Sequence, residues 1–460
     1  MSARRVPAER LRGSVYLGLA GALFAASGAM IGGYVLTGGP SQPAARAVVQ
    51  GPASPDGALA ASVTKALDGT VTIKAGGQAR TLRWSELGVV VDPDELPHAA
   101  RKAQSDDPVP GLAQLGALPV HLDRAAALEA ISHLKATIDR AAIDAHLDLE
   151  ARVIQADRPG LAIDVFAALD RVEAAARTGA TEIELPVVEL PARTTKSELG
   201  IDDISHVLGT FTTRFPVGDK DRNFNLKLAA SKLNGVVLQP GVEWSFNGTV
   251  GDRTEKEGYK IAHVITAGEM VDGLAGGTCQ ISTTLFGASF FAGLDIVKTT
   301  SHSRPSVYVP MGLDATVVWP NTDLKMKNPY DFPVVIHYRV ARGEAVVEIL
   351  GKERPWDEIA FEREILEELP FESEERLDDE MALGTEAYDQ LGFNGYTLTR
   401  FRKFYKDGKL DHTDKWKVVY KPVTEYVRRG TSESPDAKIP DGKEPHGPKP
   451  PKEGRGRIVQ

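Results

Sequence analysis

A single cysteine in a chain of 460 residues concentrates the strongest nucleophile available to the protein at one position, Cys279. The surrounding segment GLAGGTCQISTTLFGASFFAGLDIV reads as a glycine-rich turn feeding a helix, with Thr278 as N-cap, Cys279 in the first turn and Gly293 as the C-terminal stop. A thiol at the positive end of a helix has its pKa drawn from about 8.5 toward roughly 3.5–7.5, which makes it a nucleophile at neutral pH. Gly273, Gly276 and Gly277 lack a Cβ, so a substrate backbone can approach and amide N–H groups can be aimed at an oxyanion. The bland alternative is a core thiol that packs as a small hydrophobe.

Downstream, DIVKTTSHSRPSVYVP reads as a strand ending in a polar loop, with another strand beginning near Ser306. His302 stands between two serines on that loop and is the candidate base, since a Cys–His pair needs proximity in space and not in sequence. Asp314, in a DATV segment expected to be a strand, is the candidate to orient the imidazole; a capping or turn role is the alternative. His337 alternates with Val335 and Arg339 along VVIHYRV and reads as structural, while His206 and His263 have no catalytic setting. Arg222, Asn223 and Asn225 in DRNFN offer donors for a carboxylate, against a turn-forming alternative. With Gly276, Gly277, Thr278, Gln280 and Ser303 they form the expected substrate-binding set. No CxxC or HExxH spacing occurs, so neither a metal nor a cofactor is expected.

These residues need elements to hold them. Gly209 to Gly351 is dense in Gly, Asn, Thr and aromatics, with short strands and one clear helix. Before it, Thr70–Lys74 and Ala79–Trp84 flank AGGQ as a hairpin, and strand PVHLD, helix Arg124–Ala136, strand LDLEARVIQA, helix Ile163–Ala176 and strand EIELPVVEL follow. The second helix carries an apolar stripe of Ile163, Phe166, Ala167, Leu169 and Val172, and Thr178-Gly179 ends it. After the central region, GFNGYTLTRFRKFYKDGKL reads as a hairpin turning at KDGK.

At the N-terminus, Ser14 to Thr37 holds no charge and is long enough to cross a bilayer as a helix, with Arg4, Arg5, Arg10 and Arg12 on the cytoplasmic side. A membrane-anchored, single-pass chain with its bulk extracytoplasmic is expected, in a periplasm or facing a cell wall; a cleaved signal peptide, with Ala44-Ala45 near the cut, is the competing reading. The organisation expected is a cytoplasmic stub and anchor over 1–38, a Gly/Pro/Ala linker over 39–60, a small α+β module over 61–195, a β-rich α+β core over 205–352, a small β module over 357–430 and a structureless tail over 431–460. The formal net charge of −9 is accounted for by Glu353 to Glu380, where thirteen acids face three arginines. Nothing in this balance recommends nucleic acid as a partner.

The run GTFTTRFPVGDKDRNFNLKLAASKLNGVVLQPGVEWSFNGTVGDRTEKEGYK, then GGTCQISTTLF, then HSRPSVYVPMGLDATVVWPNTDLKMKNPYDFPVVI resembles the VanW family from end to end. The glycine run reads GGTC where many members carry a further glycine. The N-terminal module, with its WSELG and ELPVVELPART, resembles peptidoglycan-binding domains that precede catalytic domains of wall enzymes, and the C-terminal one resembles five-glycine β modules of wall-binding proteins. The resemblance implies an extracytoplasmic domain acting on peptidoglycan peptide stems, with L,D-transpeptidase activity in some members whose motif cysteine and histidine correspond to Cys279 and His302. A non-catalytic wall-binding or scaffold protein, with the thiol merely buried, is the alternative.

Overall fold

The computed structural model describes residues 55–99, 115–266, 269–440 and 457–460. The stub and anchor expected over 1–38 lie outside the described residues. Among the described residues no helix is long and apolar enough to cross a membrane. The architecture is mixed α+β, rich in strands, and divides into two compact units.

The first unit comprises residues up to Ala145 together with Ala156–Thr195. Its hairpin pairs Thr70–Ala75 with Gln78–Arg83 across Gly76 and Gly77, both at positive φ, and Glu182–Glu184 adds a parallel third strand. Helix Arg124–Ile138 starts at Asp123, whose carboxylate accepts from the Ala125 and Ala126 amides; helix Val165–Thr178 starts at Asp164 and stops at left-handed Gly179. Val71, Ile73, Ile131, Leu134, Leu169 and Val172 meet in the core. Two expectations are corrected here. The buried stripe of the second helix runs through Ala168, Leu169, Val172 and Ala176, and Phe166 is 80% exposed, because Ile163 belongs to the preceding strand Gly160–Ile163 and not to the helix. The linker expected over 39–60 is helical from Pro55, where proline suits a first helical position and the alanines that follow favour propagation.

The second unit is His146–Gln155 with Lys196–Gln460. Its central antiparallel sheet runs His206–Arg214, Glu344–Gly351, Val334–Ala341, Val237–Leu238. Across it lies the helix Thr278–Phe291, in which every residue but Cys279 is buried, its polar side chains Thr278, Gln280, Ser282, Thr283 and Thr284 taken inside by hydrogen bonds. Contact is close because glycines stand at the crossing: a Cβ on Gly209 would come within 2.3 Å of the Ala292 nitrogen, and one on Gly287 within 2.4 Å of the Phe211 ring. The expected strand LDLEARVIQA is a hairpin, His146–Asp148 with Val153–Gln155, whose Leu147 and Ile154 pack with Ile201, Ile204, Val335 and Leu350.

Strand Asp295–Lys298 precedes the histidine loop as expected, but no strand begins near Ser306: residues 299–324 carry no ladder beyond an isolated bridge, and Asp314 sits in this irregular stretch. Pro305 and Pro310 remove two of the donors a strand there would need. Beyond it, Lys409–Tyr420, Gly395–Lys406, Glu358–Leu369 and Arg457–Val459 form a four-stranded antiparallel sheet, and Ser373–Ala382, Glu425–Ser432 and Glu386–Gln390 a second sheet. The hairpin turns at Asp407 and Gly408, both at positive φ, as KDGK foretells. The tail expected to be structureless ends in the strand Arg457–Val459, paired with Ala360, Phe361 and Glu362. Ile359, Phe361 and Phe404 of this C-terminal part belong to the same buried cluster as Leu285, Phe286 and Phe290 of the central helix.

Gly209→Ala is expected to destabilise the second unit by about 3 kcal/mol, because the methyl meets main chain that cannot rotate away. Gly77→Ala, whose new Cβ meets nothing, is strained only by its φ and should cost about 1 kcal/mol. Urea unfolding of the two variants checks the difference.

Candidate active site

The turn before the central helix requires glycine at its last position. Gly277 has φ of 100° and is itself the N-cap, which corrects the assignment of Thr278. Thr278 is the first helical residue, and its hydroxyl donates back to the Ala275 carbonyl at 2.8 Å. Cys279 follows, half-buried, its thiol donating to the Val317 carbonyl oxygen at 3.5 Å, with the His302 imidazole near enough to act on its charge.

His302 and Asp314 are 8% and 1% exposed, and they are joined twice. The imidazole Nδ1 lies 2.8 Å from Asp314 Oδ2, and the His302 amide donates to the same oxygen at 2.7 Å. With Nδ1 so engaged, Nε2 is the ring nitrogen left for proton exchange with the thiol. The second Asp314 oxygen accepts from the Tyr420 hydroxyl, which in turn accepts from the Gly312 amide at 2.8 Å. A buried carboxylate is tolerated only when its lone pairs are met, and here both oxygens have donors.

The electrostatics follow. Burial pushes the Cys279 thiol up, but the hydrogen bond and charge of His302, with the nearby Arg253 guanidinium, hold it below the ordinary thiol range. Burial disfavours a charged His302, yet Tyr308, Asp314 and the Cys279 sulfur together raise it well above the usual imidazole range. Burial raises Asp314, and its bonds to His302 and Tyr420 outweigh this and depress it. These shifts favour a thiolate–imidazolium pair braced by a carboxylate, an arrangement suited to attacking a carbonyl and shuttling one proton.

Other residues singled out in the sequence fall into two groups. Arg222 donates through Nη2 to Gln280 Oε1 at 2.8 Å, while its Nη1 is buried without a partner and the group feels the charge of Cys279. Gln280 holds that guanidinium and donates to Thr213 Oγ1 and the Arg214 carbonyl. By contrast, Asn223 caps the Pro216 and Val217 carbonyls, and fully buried Asn225 donates to the Lys260 and Gly276 carbonyls, so both stabilise backbone and offer no amide donor to a ligand. Ser303 is exposed, and its carbonyl accepts from the Lys421 amide. His337 is structural, bonded to Glu348. Sequence reasoning missed Arg253, whose Nε is buried and unpartnered beside the thiol, and Tyr420. Arg253 lies in the quoted GDRTEKEGYK motif and could have been found there; nothing near Tyr420 in the sequence signals its role.

This geometry sits in recognisable surroundings. Residues 221–350 match the family described as VanW like protein, residues 109–184 the "Putative peptidoglycan binding domain", and residues 362–432 the G5 domain. The chain thus carries a VanW-like domain between a peptidoglycan-binding module and a G5 domain, the domain set of a cell-wall-associated protein. It is similar to the uncharacterized protein YoaR of Bacillus subtilis (strain 168), 37% identical over 175 residues, covering 38% of this chain and 57% of that one. It is similar also to the vancomycin B-type resistance protein VanW of Enterococcus faecalis (strain ATCC 700802 / V583), 28% identical over 141 residues, covering 30% of this chain and 51% of that one. The chain spans about half the length of these curated relatives. Among solved structures, the G5 domain of IgA1 protease covers 16% of the chain at 19% identity with a TM-score of 0.13, and the G5 segment of HP0197 covers 16% at 23% identity with a TM-score of 0.10.

Alkylation of the native protein by iodoacetamide should follow a titration whose midpoint lies below the ordinary thiol value of about 8.5. Replacing His302 by Ala removes the counter-charge and leaves burial unopposed on that side, so the midpoint should rise. Rates of carbamidomethylation from pH 5 to 10 measure both.

Proposed function

We propose that the protein is a membrane-tethered cysteine acyltransferase of the L,D-transpeptidase type, acting outside the cytoplasm on peptidoglycan peptide stems. The observation that carries this reading is the half-open Cys279 in the first turn of the central helix, its charge favoured by a His302 imidazole that Asp314 fixes from behind. The thiolate attacks the carbonyl carbon of the third residue of a tetrapeptide stem, and the oxyanion is held by amides of Gly276, Gly277 and Cys279. Collapse breaks the amide bond; His302 gives its proton to the departing D-Ala amine, and a thioester remains on Cys279. An amine of a second stem then attacks, His302 takes its proton, and the new amide leaves as the thiolate is restored.

Recognition of the donor falls to Arg222 and Arg253. Each has a buried guanidinium nitrogen without a partner, and both feel the Cys279 charge, as suits binding of the terminal carboxylate one residue beyond the scissile carbonyl. The uncharged stretch Ser14–Thr37, with its preceding arginines, supplies the tether, and the peptidoglycan-binding module a hold on the wall.

Intact-mass measurement of the protein incubated with a disaccharide tetrapeptide tests the chemistry. A tripeptide-acyl adduct on Cys279, absent in Cys279→Ala, is the expected result. Failure to form any adduct, in a protein that still sediments with purified wall, would leave the non-catalytic scaffold. Arg253→Ala should raise KM for the tetrapeptide by about tenfold or more, the scale of a lost charge-assisted hydrogen bond. A donor amidated at its C-terminus should show no such difference between the two proteins, and the same kinetics read both.

A further inference from the structure

The strands that follow the VanW-like domain reach back onto its candidate site. From strand Gly395–Lys406, Arg400 donates to the Gly312 carbonyl at 2.9 Å; from strand Glu358–Leu369, Arg363 donates to the Met311 carbonyl at 3.2 Å; and the Lys421 amide donates to the Ser303 carbonyl at 3.1 Å. The two backbone stretches so gripped are those that carry His302 and Asp314. Tyr420, at the end of strand Lys409–Tyr420 and fully buried, is the side chain that touches the carboxylate itself. Its oxygen accepts the Gly312 amide, so its single O–H has Asp314 Oδ1 as its acceptor, and the phenol is a donor of fixed direction.

We infer that Tyr420 is a positioning residue of the candidate site, and that the G5 domain thereby completes a catalytic centre that the VanW-like domain does not complete alone. By holding one carboxylate oxygen, Tyr420 keeps the other aligned on the His302 ring, which must face Cys279. The hydroxyl stays protonated as this role requires, since burial and the adjacent Asp314 charge raise it well above the usual phenol range. The charged and titratable groups around the triad are Arg222, Arg253, Tyr308, Arg400 and Tyr420; Arg400, which burial lowers to about 10, is still a cation at neutral pH.

This inference rests on the cysteine-nucleophile reading, and alkylation kinetics of the full chain separate the two. In Tyr420→Phe the ring still fills the pocket shared with Met311, Leu398 and Val418, and only the hydroxyl is lost. The midpoint of Cys279 alkylation should rise by about one pH unit and the rate at pH 7 fall severalfold. Val418→Ala thins the same apolar cluster without touching Asp314; its Tm should fall with the midpoint in place. Site-specific 3,5-difluorotyrosine at position 420 keeps ring and hydroxyl but draws more charge from Asp314, weakens its support of the imidazolium and should raise the midpoint, which covers the case in which Tyr420→Phe does not fold. A wild-type midpoint in the phenylalanine or the difluorotyrosine protein overturns the positioning role alone. A wild-type thiol that stays inert until denaturation overturns the nucleophile and this inference with it.

Discussion

The structure of the candidate site depends on one buried negative charge. Asp314 is almost wholly removed from solvent, and an isolated carboxylate in that position would be protonated or expelled. It stays ionised because four contacts converge on its two oxygens: a main-chain amide, an imidazole, a phenol and, at longer range, the Arg400 cation. The charge then propagates outward. An ionised Asp314 favours a protonated His302, a protonated His302 favours an ionised Cys279, and the sulfur is the member of the series nearest to solvent.

The central helix gives this electrostatic chain a fixed end. Its apolar residues are buried against sheet and C-terminal strands alike, so the first turn cannot tilt without opening a core that includes Phe286, Phe290 and Phe361. Two arginines, Arg400 and Arg402, enter that core from strand Gly395–Lys406. Arg402 is bonded to Asp414 and the Leu294 carbonyl, and Arg400 lies over the Phe286 and Trp416 rings. Such burial of guanidinium groups is tolerable because aromatic faces and helix-end carbonyls take the place of water.

Much of this was legible in the sequence where the signal is local. A lone cysteine after glycines, a histidine between serines, and an aspartate a dozen residues beyond it pointed to three side chains that the fold does bring together. The KDGK turn and the Gly179 and Gly293 stops were legible for the same reason, since positive φ restricts residue choice at once. Features set by distant partners were not. Tyr420 meets Asp314 across more than a hundred residues, and Asn223 and Asn225 follow neither the ligand nor the turn reading, since both lie in helix Lys220–Ser231 and donate to carbonyls outside it. The phase of the stripe around Phe166 failed because a strand and a helix abut at Asp164, so one periodicity was read across two elements.

The glycines at the helix–sheet crossing bear on how this fold tolerates sequence drift. Because Gly209 meets the main chain of the helix end directly, the depth at which the helix lies is set by backbone against backbone and not by the volumes of exchangeable side chains. Leucines and phenylalanines around it can trade places over generations while the sulfur keeps its address. A methyl at the crossing has no such latitude, and pushes against the last turn of the helix.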